Sequence, residues 1–142
     1  MTTKSGEVRV EKTYNAKIDR VWQALTDPAL MKQWYFDLPG FRPEVGYEFS
    51  FLAGDDTTKW LHLCKVTAVK PNKLIAYTWR YDGYGGDSLV TFELFDEGDK
   101  TRLVLTHTGL DTFPADVKAF DRKNFEIGWN AIIDTSLAKF LE

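Results

Sequence analysis

Hydrophobic and polar residues alternate along much of the first hundred residues, and a period of two predicts β-strands. In the first such segment, residues 7–14, Val8 and Val10 share one face while Arg9 and Glu11 share the other. We expect five or six further strands, of which five fall at residues 46–52, 60–69, 73–81, 87–95 and 101–109.

Two short helices are predicted between the first and second strands. The first has apolar residues at helical spacing between Ile18 and Leu25. Asp27 is a good N-cap and Pro28 suits the first helical position, so a second helix starts there and ends near Trp34.

Residues 114–142 are predicted to form one long amphipathic helix with Gly128 and Trp129 at its middle. At ~100° per residue, its apolar stripe rotates at the glycine. We therefore expect the half before Trp129 to face a cavity and the half after it to anchor the fold. The side expected to face the cavity carries Val117, Phe120, Asn124 and Gly128. The side expected to anchor the fold carries Trp129, Ile132, Ser136 and Phe140.

A glycine inside a helix destabilises it by about 1 kcal/mol relative to alanine. A close approach of the Gly128 backbone to the sheet or to a ligand would explain the residue, and a glycine tolerated at the surface is the alternative.

Strands joined by short turns pair in an antiparallel sheet, and helices placed towards the chain ends indicate an α+β fold. The length of 142 residues suits one domain, residues 1–142. An antiparallel sheet can bury one face, so we expect the last helix to cover that face.

Composition excludes several classes of function. The net charge is −3 with both signs interspersed, which disfavours nucleic acid and anionic membranes as partners. No apolar run has the length of a signal peptide or a membrane span, so we expect a cytoplasmic protein without membrane insertion. The single cysteine, Cys64, excludes an internal disulfide and a cysteine-only zinc site. It is expected to fill the core.

Several short motifs follow one another along residues 8–141. Their combination resembles the SRPBCC (START-like) superfamily, and within it the bacterial proteins related to the C-terminal domain of the heat-shock-protein-90 ATPase activator. The motifs are Val21-Trp22-Gln23-Ala24-Leu25-Thr26-Asp27-Pro28, Lys70-Pro71-Asn72-Lys73-Leu74, Val90-Thr91-Phe92-Glu93-Leu94, Leu105-Thr106-His107-Thr108-Gly109 and Gly128-Trp129.

The resemblance implies a helix-grip fold. In this fold a curved seven-stranded antiparallel sheet surrounds a long C-terminal helix, two short helices lie between strands 1 and 2, and an apolar cavity separates sheet and helix. The superfamily includes lipid carriers, hormone and pollen-allergen-like binders, aromatase/cyclases and co-chaperone domains. The fold therefore leaves the function open.

Alternation and the implied cavity together predict a set of ligand-contacting residues, most of them apolar or amphipathic. The alternative is that these aromatic side chains simply fill the core. Asn124 is the candidate polar contact, although it could equally cap a loop end. The predicted cavity lining is Trp34, Phe49, Phe51, His62, Cys64, Tyr77, Trp79, Phe92, Leu105, His107, Phe120, Asn124 and Gly128.

His62 and His107 are the only histidines, and both fall on predicted inward positions. They could bind a metal or supply a general base. However, no serine elbow, zinc-protease helix or carboxylate cluster accompanies them, so hydrogen-bonded interior histidines are the favoured interpretation. We expect no metal and no cofactor. Acid–base chemistry on a bound polyketide could use either histidine, Tyr77 or Asn124.

The leading functional hypothesis is non-enzymatic binding of a small hydrophobic molecule, lipid-like or aromatic, for which a stress response is one setting. The second is a co-chaperone-like interaction module. It is disfavoured because the activator's additional N-terminal domain is not expected in this sequence. The third is a cyclase or hydrolase acting on a bound polyketide. Monomer and homodimer both stay open, since edge strands can pair.

Overall fold

Six antiparallel strands form one sheet in the computed structural model, which describes residues 6–54, 59–114, 116–117 and 120–141. The strands lie in the order β1-β6-β5-β4-β3-β2. The strands are β1 (Val8–Tyr14), β2 (Glu48–Gly54), β3 (Lys59–Lys70), β4 (Leu74–Tyr81), β5 (Ser88–Glu97) and β6 (Lys100–Thr108).

Along the chain, two helices lie between β1 and β2, and the C-terminal helix follows β6. Helices α1 (Ile18–Thr26) and α2 (Pro28–Trp34) connect β1 to β2, which lie at opposite edges of the sheet. The C-terminal helix comprises α3 (Arg122–Asn130), a π-helical segment (Ala131–Ser136) and α4 (Leu137–Leu141). The α+β class and the two short helices are confirmed.

The expectation of seven strands is wrong for the described residues, which form six. The chain between α2 and β2 contains Pro39 and Pro43, which lack backbone donors, and Gly40 and Gly46 in the left-handed region. Such a segment turns repeatedly and cannot continue a ladder.

Alternation along the strands separates a buried face from an outer face as predicted. On β4, Tyr77 and Trp79 are buried whereas Arg80 is exposed. Tyr77 pairs with Val90 of β5, and Phe92 pairs with Leu105 of β6, which continues the apolar face across three strands. This face packs against the C-terminal helix.

The C-terminal helix begins at Arg122 and not at Pro114. Asp121 has an extended backbone (φ −66°, ψ 142°) and occupies the N-cap position. Phe120 lies in a tight turn before it, where its N–H donates to the carbonyl of Val117 at 3.0 Å. The two first residues of the predicted cavity stripe are therefore not on the helix at all.

The buried stripe of this helix also differs from the predicted one. It recurs every fourth residue, and in a regular α-helix such a row drifts steadily around the axis. The π-helical segment corrects the drift, because its bonds span five residues, as from the Leu137 N–H to the Ile132 carbonyl, and its turns are wider. The stripe consists of Phe125, Trp129, Ile133, Leu137 and Leu141.

Two features are absent from the described residues. None of their helices is long and apolar enough to cross a membrane. Nor do any of their histidine, cysteine, aspartate and glutamate side chains form a group able to hold a metal ion.

Candidate functional site: an aromatic cavity beside Gly128

A cavity of about 190 Å³ lies between the C-terminal helix and the inner face of β4. Five of its eight lining residues are aromatic, and none is charged. The lining residues are Phe36, Trp79, Tyr81, Asn124, Phe125, Gly128, Trp129 and Ile132.

Each wall comes from a different part of the fold. Trp79 and Tyr81 extend from the end of β4, and the indole of Trp79 lies 5.3 Å from that of Trp129 on the helix. Phe36, in the segment that follows α2, packs 4.4 Å from Phe51, which places its ring across the space between sheet and helix. Aromatic side chains from β4, from the C-terminal helix and from the segment after α2 thus bound the cavity.

Gly128 leaves a gap in the helical wall. A Cβ atom built at this position would meet nothing within 4 Å, so the backbone makes no close approach to the sheet there. The expectation of a close approach to the sheet is therefore wrong. Gly128 is exposed and borders the cavity, and open space lies where its side chain would begin.

A hydrogen-bonded chain behind the cavity ties the helix to the sheet. The Trp129 Nε1–H donates to Nδ1 of His107 at 3.0 Å. An indole nitrogen only donates, so His107 is neutral with its proton on Nε2, which donates to the Ser88 Oγ at 2.8 Å. The Ser88 hydroxyl in turn donates to the Trp79 carbonyl at 2.6 Å.

Burial keeps both histidines uncharged. Desolvation lowers the pKa of His107 to about 3, and lowers that of His62 to about 4 against smaller opposing contributions from backbone hydrogen bonds. The Nδ1–H of His62 donates to the Trp60 carbonyl at 2.9 Å, and the His62 ring stacks on Phe51 at 4.5 Å. Neither histidine lines the cavity.

The buried hydroxyls and the thiol are also held in their protonated forms. Desolvation raises the pKa of Tyr35, Tyr77 and Tyr81 well above the ordinary tyrosine value, and it raises the pKa of the Cys64 thiol. The Tyr35 and Tyr77 hydroxyls share a 2.7 Å hydrogen bond. Cys64 therefore behaves as a core residue and has little thiolate character.

The structure brings three of the predicted lining residues to the cavity: Trp79, Asn124 and Gly128. Others lie one layer behind it, in contact with Trp79 or Trp129. These are Phe51, His62, Phe92 and His107.

The remaining predicted residues lie elsewhere in or near the core. Trp34 donates from Nε1 to the Ala24 carbonyl at 2.9 Å, which joins α2 to α1. Phe120 stacks on Tyr81 at 4.5 Å and so supports the cavity wall from outside. The others pack in or against the core: Phe49, Cys64, Tyr77 and Leu105.

Sequence reasoning missed five lining residues. Tyr81 continues the alternation of Tyr77 and Trp79 and could have been found by extending it. Phe125 begins the buried helix stripe, in which every fourth residue is buried. The predicted rotation of the apolar stripe at Gly128 concealed this repeat. The missed residues are Phe36, Tyr81, Phe125, Trp129 and Ile132.

A surface depression of about 390 Å³ lies at Asp134 and Lys139, and two larger ones are also lined by charged side chains. One, of about 720 Å³, lies at the β3–β4 turn and the ends of β5 and β6, with Lys73, Glu93 and Arg102 among its lining residues. The other, of about 480 Å³, includes exposed positions of the sheet such as Lys65 and Arg80. Charged side chains of both signs make these grooves unsuited to an apolar ligand.

An open antiparallel sheet packed on a C-terminal helix, with an apolar cavity between them, defines an SRPBCC-type protein. A family model described as activator of Hsp90 ATPase homolog 1-like protein matches residues 15–142. The chain belongs to this family, and the resemblance seen in the sequence is confirmed.

Solved structures agree over nearly the whole chain. The Mll3558 protein from Rhizobium loti is 26% identical, with a TM-score of 0.81 over 95% of this chain and 96% of that one. CalU16 from Micromonospora echinospora is 26% identical, with a TM-score of 0.74 over 96% and 76%. DynU16, from the dynemicin biosynthetic locus, is 24% identical, with a TM-score of 0.78 over 97% and 48%. No curated protein matches the chain.

Proposed function

We infer that this protein binds a small hydrophobic molecule in the cavity beside Gly128. The observation that carries this proposal is the coincidence of a side-chain-free helix position with an uncharged aromatic cavity. A glycine at this position destabilises the helix by about 1 kcal/mol relative to alanine, and no packing contact offsets that loss. Access for a ligand explains why the position lacks a side chain.

The cavity volume narrows the class of ligand. A cavity of roughly 150 Å³ holds a benzene ring, whereas pockets for larger ligands reach ~300–1,000 Å³. At about 190 Å³, the space beside Gly128 suits one or two rings. A sterol or long acyl chain would require the Phe36 ring to move away from Phe51 and Trp79.

The wall chemistry favours an aromatic ligand over an aliphatic one. The Trp79 and Trp129 rings both line the cavity and are tilted by 59° to each other. Aromatic pairs gain about 0.5–1.5 kcal/mol beyond area burial in offset or edge-to-face arrangements. Burial of apolar ligand surface adds ~25 cal/mol per Å².

A titration of the purified protein with naphthalene, oleate and cholesterol tests the proposal, with tryptophan fluorescence and thermal shift as readouts. Trp79 and Trp129 line the cavity, so a ligand there changes their emission. We expect naphthalene to bind the wild type, and we expect Gly128→Leu, whose side chain would enter the cavity, to abolish the response.

Ala131→Leu is the matched control, because it adds a comparable side chain at an exposed position outside the cavity lining. This variant should bind naphthalene as the wild type does. The proposal fails if none of the three probes binds the wild type, or if Gly128→Leu and Ala131→Leu bind equally well.

A second candidate function is a co-chaperone-like interaction module, which the family's description as Hsp90 ATPase activator homologs favours. Pull-down of the chaperone and stimulation of its ATPase test this candidate, and Gly128→Leu should then leave both unaffected. Catalysis has less support, since both histidines lie outside the cavity lining and both nitrogens of His107 are occupied. Cytoplasmic location and oligomeric state stay predictions.

A further inference from the structure

Tyr81 carries a hydroxyl and is one of the eight lining residues of the cavity, to which Asn124 contributes an amide. The Tyr81 side chain lines the cavity although the residue is only 7% exposed. Its oxygen accepts a hydrogen bond from the Trp79 Nε1–H at 2.9 Å, and Trp79 is itself a lining residue. This hydrogen bond therefore joins two lining side chains that both extend from β4.

Tyr81 has an unused donor. A phenolic hydroxyl can donate one hydrogen bond and accept others. The hydrogen bonds among the described residues occupy its acceptor side through Trp79 and include no acceptor for its proton. Desolvation raises the pKa of Tyr81, so this proton is retained at neutral pH.

The charge of the lining sets a second condition on the ligand. No lysine, arginine or histidine is among the eight lining residues, so the cavity offers no counter-charge to a carboxylate or phenolate. An ionised group loses its hydration on burial and is strongly disfavoured without a partner. A neutral oxygen acceptor, such as a ketone, meets the Tyr81 proton without that penalty.

We propose that the cavity selects neutral aromatic ligands that carry a carbonyl oxygen, and that Tyr81 recognises this oxygen by donating its hydroxyl proton to it. This inference rests on the proposed function, because it assigns a ligand class to the same cavity. Tyr81 supplies specificity for the oxygen, while the surrounding rings supply affinity for the aromatic part.

Three probes of similar size and different polarity test the inference: 1-tetralone, tetralin and 1-naphthoate. Tetralin is the tetralone skeleton without the oxygen, and naphthoate is an anion. A net hydrogen bond between neutral groups corresponds to about a fivefold change in affinity. We expect the wild type to bind tetralone about fivefold more tightly than tetralin, and naphthoate more weakly than either.

Tyr81→Phe provides the critical comparison. It should remove the preference for tetralone, so that tetralone and tetralin bind the variant with similar affinity. Loss of the hydroxyl also removes the acceptor of the Trp79 indole, and tetralin binding reports any distortion of the cavity that results. An infrared spectrum of tetralone bound to the wild type gives an independent readout, since donation by Tyr81 shifts the carbonyl stretch to lower frequency.

The possible outcomes separate this inference from the proposed function. If tetralone and tetralin bind the wild type equally, or Tyr81→Phe weakens both to the same extent, the role of Tyr81 is wrong although the cavity binds ligands. An unshifted carbonyl stretch leads to the same conclusion. If no probe binds the wild type, or all three bind Gly128→Leu unchanged, the proposed function itself is wrong.

Discussion

The two halves of the C-terminal helix bury the same stripe and differ in the row of residues beside it. In α3, Asn124 and Gly128 are exposed and border the cavity. In the π-helical segment and α4, the corresponding row is half-buried, although its first member, Ile132, still borders the cavity. Stripe residues Ile133 and Leu137 are fully buried. The Tyr14 hydroxyl also donates to the Ile133 carbonyl at 2.6 Å.

This difference shows how one amphipathic helix can serve both stability and binding. The stripe attaches the whole helix to the sheet, while the neighbouring row decides whether the adjacent space is filled. Removing one side chain, at Gly128, opens a gap without interrupting the stripe. The first half is held instead by the hydrogen bond from Trp129 to His107. The following predictions test that division.

The largest effect is expected from Leu137→Ala in the packed half. Leu137 is 0% exposed, and truncating a buried leucine lowers the free energy of unfolding by about 2–5 kcal/mol. Urea unfolding measures this loss. Ile127→Ala, on the same helix but 58% exposed, serves as the control and should change stability by no more than about 0.5 kcal/mol.

Affinity for naphthalene provides the second half of that test. Leu137 does not line the cavity, so the folded fraction of Leu137→Ala should bind as the wild type does. A stability loss below about 1 kcal/mol, or a specific loss of binding, would mean that the packed half is not the anchor.

An intermediate effect is expected from acid, through the histidine that holds the first half. The pKa of His107 falls from 6.5 to about 3 on folding. Between these two pH values, His107 is therefore protonated in the unfolded chain and neutral in the folded protein. The free energy of unfolding therefore decreases as the pH falls from about 6.5 towards 3. The slope approaches about 1.4 kcal/mol per pH unit for each such histidine.

His107→Gln tests this assignment by unfolding measurements at pH 7 and pH 5.5. Glutamine can accept from Trp129 and donate to Ser88 but does not titrate. The variant should lose about 1 kcal/mol less than the wild type between the two pH values. The pH dependence that remains should come largely from His62, whose pKa falls to about 4. An unchanged pH profile would show that folding does not lower the pKa of His107.

The sheet could be predicted from sequence because the alternation of apolar and polar residues within each strand indicates which face is buried. Alternation placed Tyr77, Trp79, Phe92, Leu105 and His107 on the buried face, and all five are buried. No long-range information is needed for such an assignment, because one face of each strand meets the core. The seventh strand had no such pattern behind it and rested on resemblance alone.

The cavity could be predicted only in part, because its shape depends on the helix register. A uniform turn angle applied from residue 114 placed Val117 and Phe120 on the helix, although it begins at Arg122. The π-helical turns then displaced every later position. Phe36 was absent from the predicted lining for another reason, since its position across the cavity depends on a long-range contact with Phe51.

The smallest effect, and the most direct test of the gap in the wall, is expected from Gly128→Ala. Alanine favours a helix over glycine by about 1 kcal/mol, and its Cβ would meet no atom within 4 Å, so the variant should be more stable by up to that amount. Ala131→Gly, at an exposed position three residues later, should lower stability by a similar amount in urea unfolding. A destabilised Gly128→Ala would reveal a close contact at this site, and the helix would then need its glycine for packing. A gain in stability with affinity for naphthalene retained would show that the glycine is dispensable for folding, and that only a side chain long enough to fill the cavity interferes with binding.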